Sequence, residues 1–249
     1  MRLERLNSKN KCLERLHCHE PRGVSCLTTA TEGQRKLLCS GSFDSTIAIR
    51  DCKSGLLLRT FSDHNMTVLC LQVVENILYS GSADMKVHAH NLNSGELLRC
   101  YEGHTMSVSG LQIVGRVLVT SCLDKLIRCY DVATAELKQV YGGQMDMIFS
   151  VHVNNGRIYS GARDGSVVAV KLDLRVYHPC KWRECQLNFG IVTHLKNHIR
   201  EFHVMEQGTV EACHWANCGH QFSADDDISV VLKHVLGHVV TRTARKTAS

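Results

Sequence analysis

Four aspartates, Asp44, Asp84, Asp124 and Asp164, stand forty residues apart, and each closes a copy of one short turn. The copies read Ser40-Gly41-Ser42-Phe43-Asp44, Ser80-Gly81-Ser82-Ala83-Asp84, Thr120-Ser121-Cys122-Leu123-Asp124 and Ser160-Gly161-Ala162-Arg163-Asp164. His64 and His104 keep the same spacing, and Gln144 takes the third such place. A period of this length means that the chain folds as adjoining copies of one small unit, each burying a face against the next.

Each period follows one plan. An apolar segment (Val68-Leu69-Cys70-Leu71-Gln72-Val73) precedes another (Asn76-Ile77-Leu78-Tyr79), and the Ser-Gly-x-x-Asp turn follows. An alternating run comes next (Lys86-Val87-His88-Ala89-His90), then the turn Asn93-Ser94-Gly95, then Leu97-Leu98-Arg99-Cys100-Tyr101. Four strand-length segments with turn residues between them describe a small antiparallel sheet. Such a sheet has two apolar faces and is stable only beside others. Radial stacking of these sheets makes a β-propeller.

The period and the Gly-His…Ser-Gly-x-x-Asp pattern resemble the WD40 family over roughly residues 5–174. The resemblance implies a hydrogen-bond network inside each repeat. It would link His64, Ser80 and Asp84 in one, and His104, Thr120 or Ser121, and Asp124 in the next. It implies no catalytic role for these residues. The family's tryptophan is replaced by Arg50, His90, Tyr130 and Val170, so the expected networks are incomplete. About four periods are present, and the last loses its fourth strand at Leu172-Asp173-Leu174. The segment Asn10–Leu16 resembles the fourth strand of a preceding period. Family rings usually need about seven repeats, within the four-to-eight range of propellers. The expectation is a partial propeller, the carboxyl-terminal part of a longer chain, with an unpaired sheet edge.

The last third carries metal-ligand spacing. Cys180 and Cys185 have four residues between them, twelve more lead to His198, and four to His203. Cys213 and Cys218 repeat the pair, followed after fifteen residues by His234 and after three by His238. Zinc takes four sulfur and nitrogen ligands in a tetrahedron, and this spacing supplies two from a hairpin and two from a helix. Phe189 and Leu195, then Phe222 and Val231, occupy the core positions of two ββα Cys2His2 fingers. His214 and His220 are possible decoys off the expected helix. Two structural zinc ions are expected. Both fingers contain Cys-x-Trp-x-x-Cys, with Trp182 and Trp215 at one place, which resembles the tandem fingers of the Gli and Zic families. That resemblance implies finger-on-finger packing; a base-stacking platform for single-stranded RNA is the alternative.

A base-reading finger presents helix positions −1, 3 and 6 to base edges. In finger 1 these are Ile191, His194 and Asn197, of which only the last two can hydrogen-bond. Asp225-Asp226-Asp227 precede the second helix and repel phosphate. The linker 204–212 is unlike the short linkers of groove-following arrays. From residue 175 onward nine Lys/Arg face seven Asp/Glu, a net of +2, which is few cations for phosphate binding. Sequence-specific duplex DNA binding is therefore not expected.

The whole is mainly β: WD40 repeats over 1–174, fingers over 175–206 and 207–240, and a basic disordered tail over 241–249 with Arg242, Arg245 and Lys246. Thirteen cysteines, nine of them scattered through strand-like segments, suit a reducing compartment. The amino end lacks the apolar run of a signal peptide, and no window is long enough to span a membrane. No phosphate loop or nucleophile elbow occurs, so an enzyme is not expected. The order of modules resembles the end of a family of nuclear RNA-binding zinc-finger proteins. It implies a non-enzymatic RNA-associated protein of the nucleus, with the cytoplasm as an additional place. Proteins would dock on the propeller faces, and RNA is a further partner. A purely protein-binding scaffold is the alternative.

Overall fold

The computed structural model describes residues 3–6, 12–16, 18–175, 178–185, 187–205, 210–223 and 226–239. The basic tail, Asp225 and the first two residues of the segment 10–16 lie outside them. The chain forms two compact units, one of residues 1–137 and 144–171, the other of 138–143 and 172–249.

In the first unit, β1 (Leu3–Leu6) and β2 (Cys12–Leu16) make a two-stranded antiparallel sheet. The first repeat is β3 (Val24–Glu32), β4 (Arg35–Ser42), β5 (Ile47–Asp51) and β6 (Leu57–Phe61), paired in chain order. The second is β7 (Val68–Val74), β8 (Ile77–Ser82), β9 (Val87–Asn91) and β10 (Leu97–Tyr101). The third places β11 (Val108–Val114), β12 (Val117–Cys122) and β13 (Ile127–Asp131) here. Its fourth strand, β14 (Leu137–Tyr141), falls in the second unit after its first residue. The fourth repeat is the three-stranded sheet β15 (Ile148–Asn154), β16 (Arg157–Ala162) and β17 (Val167–Lys171).

The recurring aspartate has a local reason. Each accepts the backbone N–H two residues on: Thr46 at 2.8 Å, Lys86 at 3.0 Å, Leu126 at 3.1 Å and Ser166 at 2.9 Å. This Asx turn reverses the chain between the second and third strands of each repeat. The residue between takes positive φ, so Ser45, Met85, Lys125 and Gly165 sit in the left-handed region.

The first strands of successive repeats lie side by side, as radial stacking requires. Glutamines join them: Gln72 Oε1 accepts from Ile113 N–H at 2.7 Å, and Gln112 Oε1 from Val153 N–H at 2.6 Å. Between the sheets lie Leu37, Ile47, Ile49, Phe61, Val68 and Leu78, then Tyr79, Val87, Tyr101, Val108, Leu118 and Tyr130. The result is a mainly β, WD40-type, propeller-like fold.

The second unit contains β14, the hairpin β18 (His178–Pro179) and β19 (Asn188–Phe189), α1 (Val192–His198), a π-helical turn (Ile199–Met205) and α2 (Ile228–Gly237). The unit boundary thus differs from an unbroken 1–174. Residues 138–143 are grouped with the second unit, where Val140 pairs in parallel with Phe189.

Candidate metal centres and the repeat networks

Finger 1 brings Cys180, Cys185, His198 and His203 together, and finger 2 does so for Cys213, Cys218, His234 and His238. In each set the four ligand atoms lie within 4.8 Å of one another. Sulfur and Nε2 are 3.5 Å apart for Cys180–His203 and 3.3 Å for Cys185–His198. They are 3.5 Å apart for Cys213–His238 and 3.4 Å for Cys218–His234, and the two histidine Nε2 atoms are 3.2 Å apart. A tetrahedral zinc ion bonds sulfur at about 2.3 Å and nitrogen at about 2.05 Å, which sets S···N near 3.6 Å and N···N near 3.3 Å. Both sets fit that ion. All four directions come from protein, so no position is left for a substrate.

The histidine spacings differ, and the helices answer it. His234 and His238 are four apart on α2, roughly 40° out of phase in an α-helix. His198 and His203 are five apart, which in an α-helix would put them about 140° out of phase. The π-helical turn Ile199–Met205 widens the coil and returns His203 to the metal side. Beneath the ligands lie Phe189 and Leu195 in finger 1 and Val231 and Val235 in finger 2, all buried; Phe222 is half-buried. Asp227 caps α2 with extended backbone. Of the decoys, His220 stacks on His234 at 4.2 Å, while the carbonyl of His214 accepts from Arg183 N–H.

Trp182 and Trp215 form an antiparallel bridge between the two cysteine loops. Arg183 N–H donates to the His214 carbonyl at 2.9 Å and Ala216 N–H to that of Lys181 at 2.8 Å. Trp182 stacks on His203 and Trp215 on His238, with ring planes within 7°. The tryptophans are only 4% and 8% exposed. They lie against the neighbouring cysteine loop and against histidines of the two metal sets. His194 is likewise engaged, its Nδ1 accepting Gly142 N–H at 3.1 Å.

In the repeats the implied networks form. His64 joins Asp84 through Nδ1 at 2.7 Å and Ser80 through Nε2 at 2.9 Å. The first repeat has its own, which the forty-residue count overlooks: His19 Nδ1 meets Asp44 at 2.9 Å and Nε2 meets Ser40 at 2.9 Å. His19 lies 25 residues before its aspartate rather than 20, because β3 and β4 are each two residues longer and the lead-in is one longer. The unusually long run from Val24 to Ser42 is the signal that could have found it.

In the third repeat Thr120, not Ser121, makes the contact, at 2.9 Å from His104 Nε2. Arg128 is inserted between the other partners, donating to His104 Nδ1 at 2.9 Å and to Asp124 at 2.7 Å. A guanidinium only donates, so Nδ1 is the acceptor and the ring is neutral with its proton on Nε2. Burial, then the Arg128 charge, pushes the His104 pKa down to about 3. In the fourth repeat Gln144 bonds Ser160 in the histidine's stead. The second-strand hydroxyls of Ser40, Thr120 and Ser160 donate to the carbonyls of Ala48, Arg128 and Val168.

His104, Cys122 and Asp124 also lie close enough to suggest a third cation site. The Arg128 guanidinium already fills it with a positive charge. A surface recess of about 780 Å³ bordered by Glu32, Arg35 and Asp51 holds paired charges, with Arg35 3.8 and 3.4 Å from the two carboxylates. Among the described residues no helix is long and apolar enough to cross a membrane.

With this fold and these sites, the molecule has a WD40-type, propeller-like fold followed by two Cys2His2 clusters. The family model for the WD domain, G-beta repeat, matches residues 10–51 and 95–131. Among solved structures, the chain is similar to the computationally designed Ika4 protein, at 26% identity and a TM-score of 0.58, covering 64% of this chain and 96% of that one. It is similar to the WD40 beta propeller domain of Doa1 at 26% identity and a TM-score of 0.59, covering 65% of this chain and 55% of that one. The designed Ika8 protein matches at 26% identity and a TM-score of 0.59, covering 66% and 50%. The chain thus spans about half the length of the Doa1 and Ika8 chains. WD40 repeats of this kind suggest a protein-interaction scaffold, and the fold is typically non-enzymatic.

Proposed function

We propose that this chain is a zinc-stabilised interaction scaffold within a nuclear, RNA-associated protein that serves RNA processing. The observation that carries the scaffold role is that, among the described residues, the polar clusters are occupied structurally. Each metal set offers four protein ligands, and the histidines and aspartates of the repeats are joined to one another, to a hydroxyl or to Arg128. Zinc would be held by Cys180, Cys185, His198 and His203, and by Cys213, Cys218, His234 and His238. It would supply structure and no chemical step.

Protein partners suit the loops that lead into each repeat. Met66, Met106 and Met145 are exposed there, with Phe43 and Met85 on the aspartate turns. The two kinds of loop share one end of the sheet, since Ser82 Oγ bonds the Met66 carbonyl at 3.0 Å. Flexible thioethers suit a surface that accepts apolar side chains from another protein.

The RNA association and nuclear location rest on module order, which is similar to the carboxyl-terminal part of zinc finger protein 106. A second reading, a scaffold that contacts protein alone, is favoured by the burial of both tryptophans. Crosslinking to RNA in cells separates the two. Recovery of RNA with the chain, lost on Cys180→Ser/Cys213→Ser substitution, supports the first reading. Background recovery from both leaves the protein-only scaffold.

A further inference from the structure

The middle position of the helix face with which a finger reads bases is engaged, in finger 1, by a strand of the same chain. β14 runs parallel to β19, with Val140 opposite Phe189. Gly190 N–H donates to the Val140 carbonyl at 3.1 Å, and Gly142 N–H donates to Nδ1 of His194, the middle base-reading position, at 3.1 Å. The two bonds grip the strand on either side of Tyr141.

The fit is close enough to exclude side-chain bulk. A Cβ on Gly190 would come 2.5 Å from Cε1 of Tyr141 and 2.8 Å from Nε2 of Gln139. Gly143 has φ of +89°, and a Cβ there would lie 2.7 Å from Nε2 of His194. Gln139, Val140, Tyr141 and Phe189 are all at most 1% exposed. The Tyr141 hydroxyl bonds Gln139 at 2.6 Å and accepts from Asp173 N–H at 3.2 Å. Finger 2 has Val230 in the place of His194, 47% exposed.

We propose that finger 1 is a metal-dependent strand clamp whose partner is the segment 138–143 of this chain, and that its middle base-reading position, His194, is therefore unavailable to nucleic acid. Its donor on the hairpin (Gly190) and its acceptor on α1 (His194) belong to elements that the four ligands hold together. Without the metal their spacing is lost, and with it the hold on β14. The clamp does not depend on whether the protein meets RNA elsewhere.

Residue-resolved amide exchange on the full chain tests this. With zinc bound, the Gly142 N–H should be protected. Chelation should speed its exchange at least a hundredfold, with Val87 in β9 unchanged. His194→Ala, with two zinc ions retained, should speed Gly142 at least tenfold, whereas Asn197→Ala, at the exposed position of the same face, should leave it as it is. If His194→Ala loses its metal, Gly190→Val gives the same readout by driving Tyr141 away. Unchanged Gly142 exchange after chelation, or in a zinc-loaded His194→Ala or Gly190→Val chain, would overturn the proposal.

Discussion

The most exposed-seeming chemistry of the repeats is, residue by residue, buried and paired. Arg128 is the clearest case: its side chain is 2% exposed, that of Asp124 is 6%, and their bond is 2.7 Å long. Removing one partner of such a pair strands the other charge in the interior. Arg128→Ala should therefore lower unfolding free energy by about 3–5 kcal/mol, read from urea denaturation. The buried histidines set a pH dependence. Burial, and then the Arg128 charge, pushes His104 down to about 3, and burial pushes His88 down to about 4. The unfolded chain takes up these protons near the ordinary pKa of about 6.5, while the folded chain refuses them. Stability from the two groups is full above that value. It should fall with decreasing pH by up to about 1.4 kcal/mol per unit per histidine until each folded pKa is reached. Asp84, held down to about 2 despite its burial by the bonds from His64, loses its share further down the same slope. Denaturation midpoints at pH 7.5, 6 and 4.5 measure this; stability that is flat across the range would contradict the neutral-histidine networks.

At the scale of elements, the repeats pack by keeping one small residue in each pair between their first and second strands. Cys26 faces Gly41, Cys70 faces Gly81, Gly110 faces Ser121 and Ser150 faces Gly161. A Cβ on Gly81 would sit 2.6 Å from Cys70 Sγ and 2.8 Å from Val108 of the next repeat. Where serine replaces that glycine, its partner has become Gly110, whose own Cβ would meet Ser121 Oγ at 2.8 Å. Gly110→Cys should thus destabilise the protein by about 1–3 kcal/mol through overpacking. Adding Ser121→Gly should restore more than half of the loss, and a double-mutant cycle in urea measures the coupling. Additive losses would refute the pairing. The repeats were legible in the sequence because turn aspartates and alternating strands depend on neighbours in the chain. The eight metal ligands were legible for the same reason. What escaped notice depended on contacts between distant segments. His19 was hidden by a longer first repeat, Arg128 by standing where a strand residue is expected, and β14 by pairing with a finger 49 residues further along. The Trp182–Trp215 packing lay between, implied by the resemblance of its motif and now seen as a bridge between the two cysteine loops.

For the whole molecule, the two units rest on different physics. The repeats are held by apolar burial between sheets, whereas the Cys2His2 sets would draw on a bound metal, worth roughly 10–16 kcal/mol in isolated finger peptides. Chelation should therefore remove the helical signal of 192–237 and release 138–143, while the β signal of residues 24–131 and its melting remain. A single joint transition with and without chelator would mean that the units are not independent in stability. The most direct measurement is native mass spectrometry of the chain purified in the presence of zinc. Two zinc ions per chain are expected, falling to one in Cys213→Ser and to none when Cys180→Ser is added. A chain that remains metal-free, or one that keeps two ions after both substitutions, would contradict the assignment of these eight side chains.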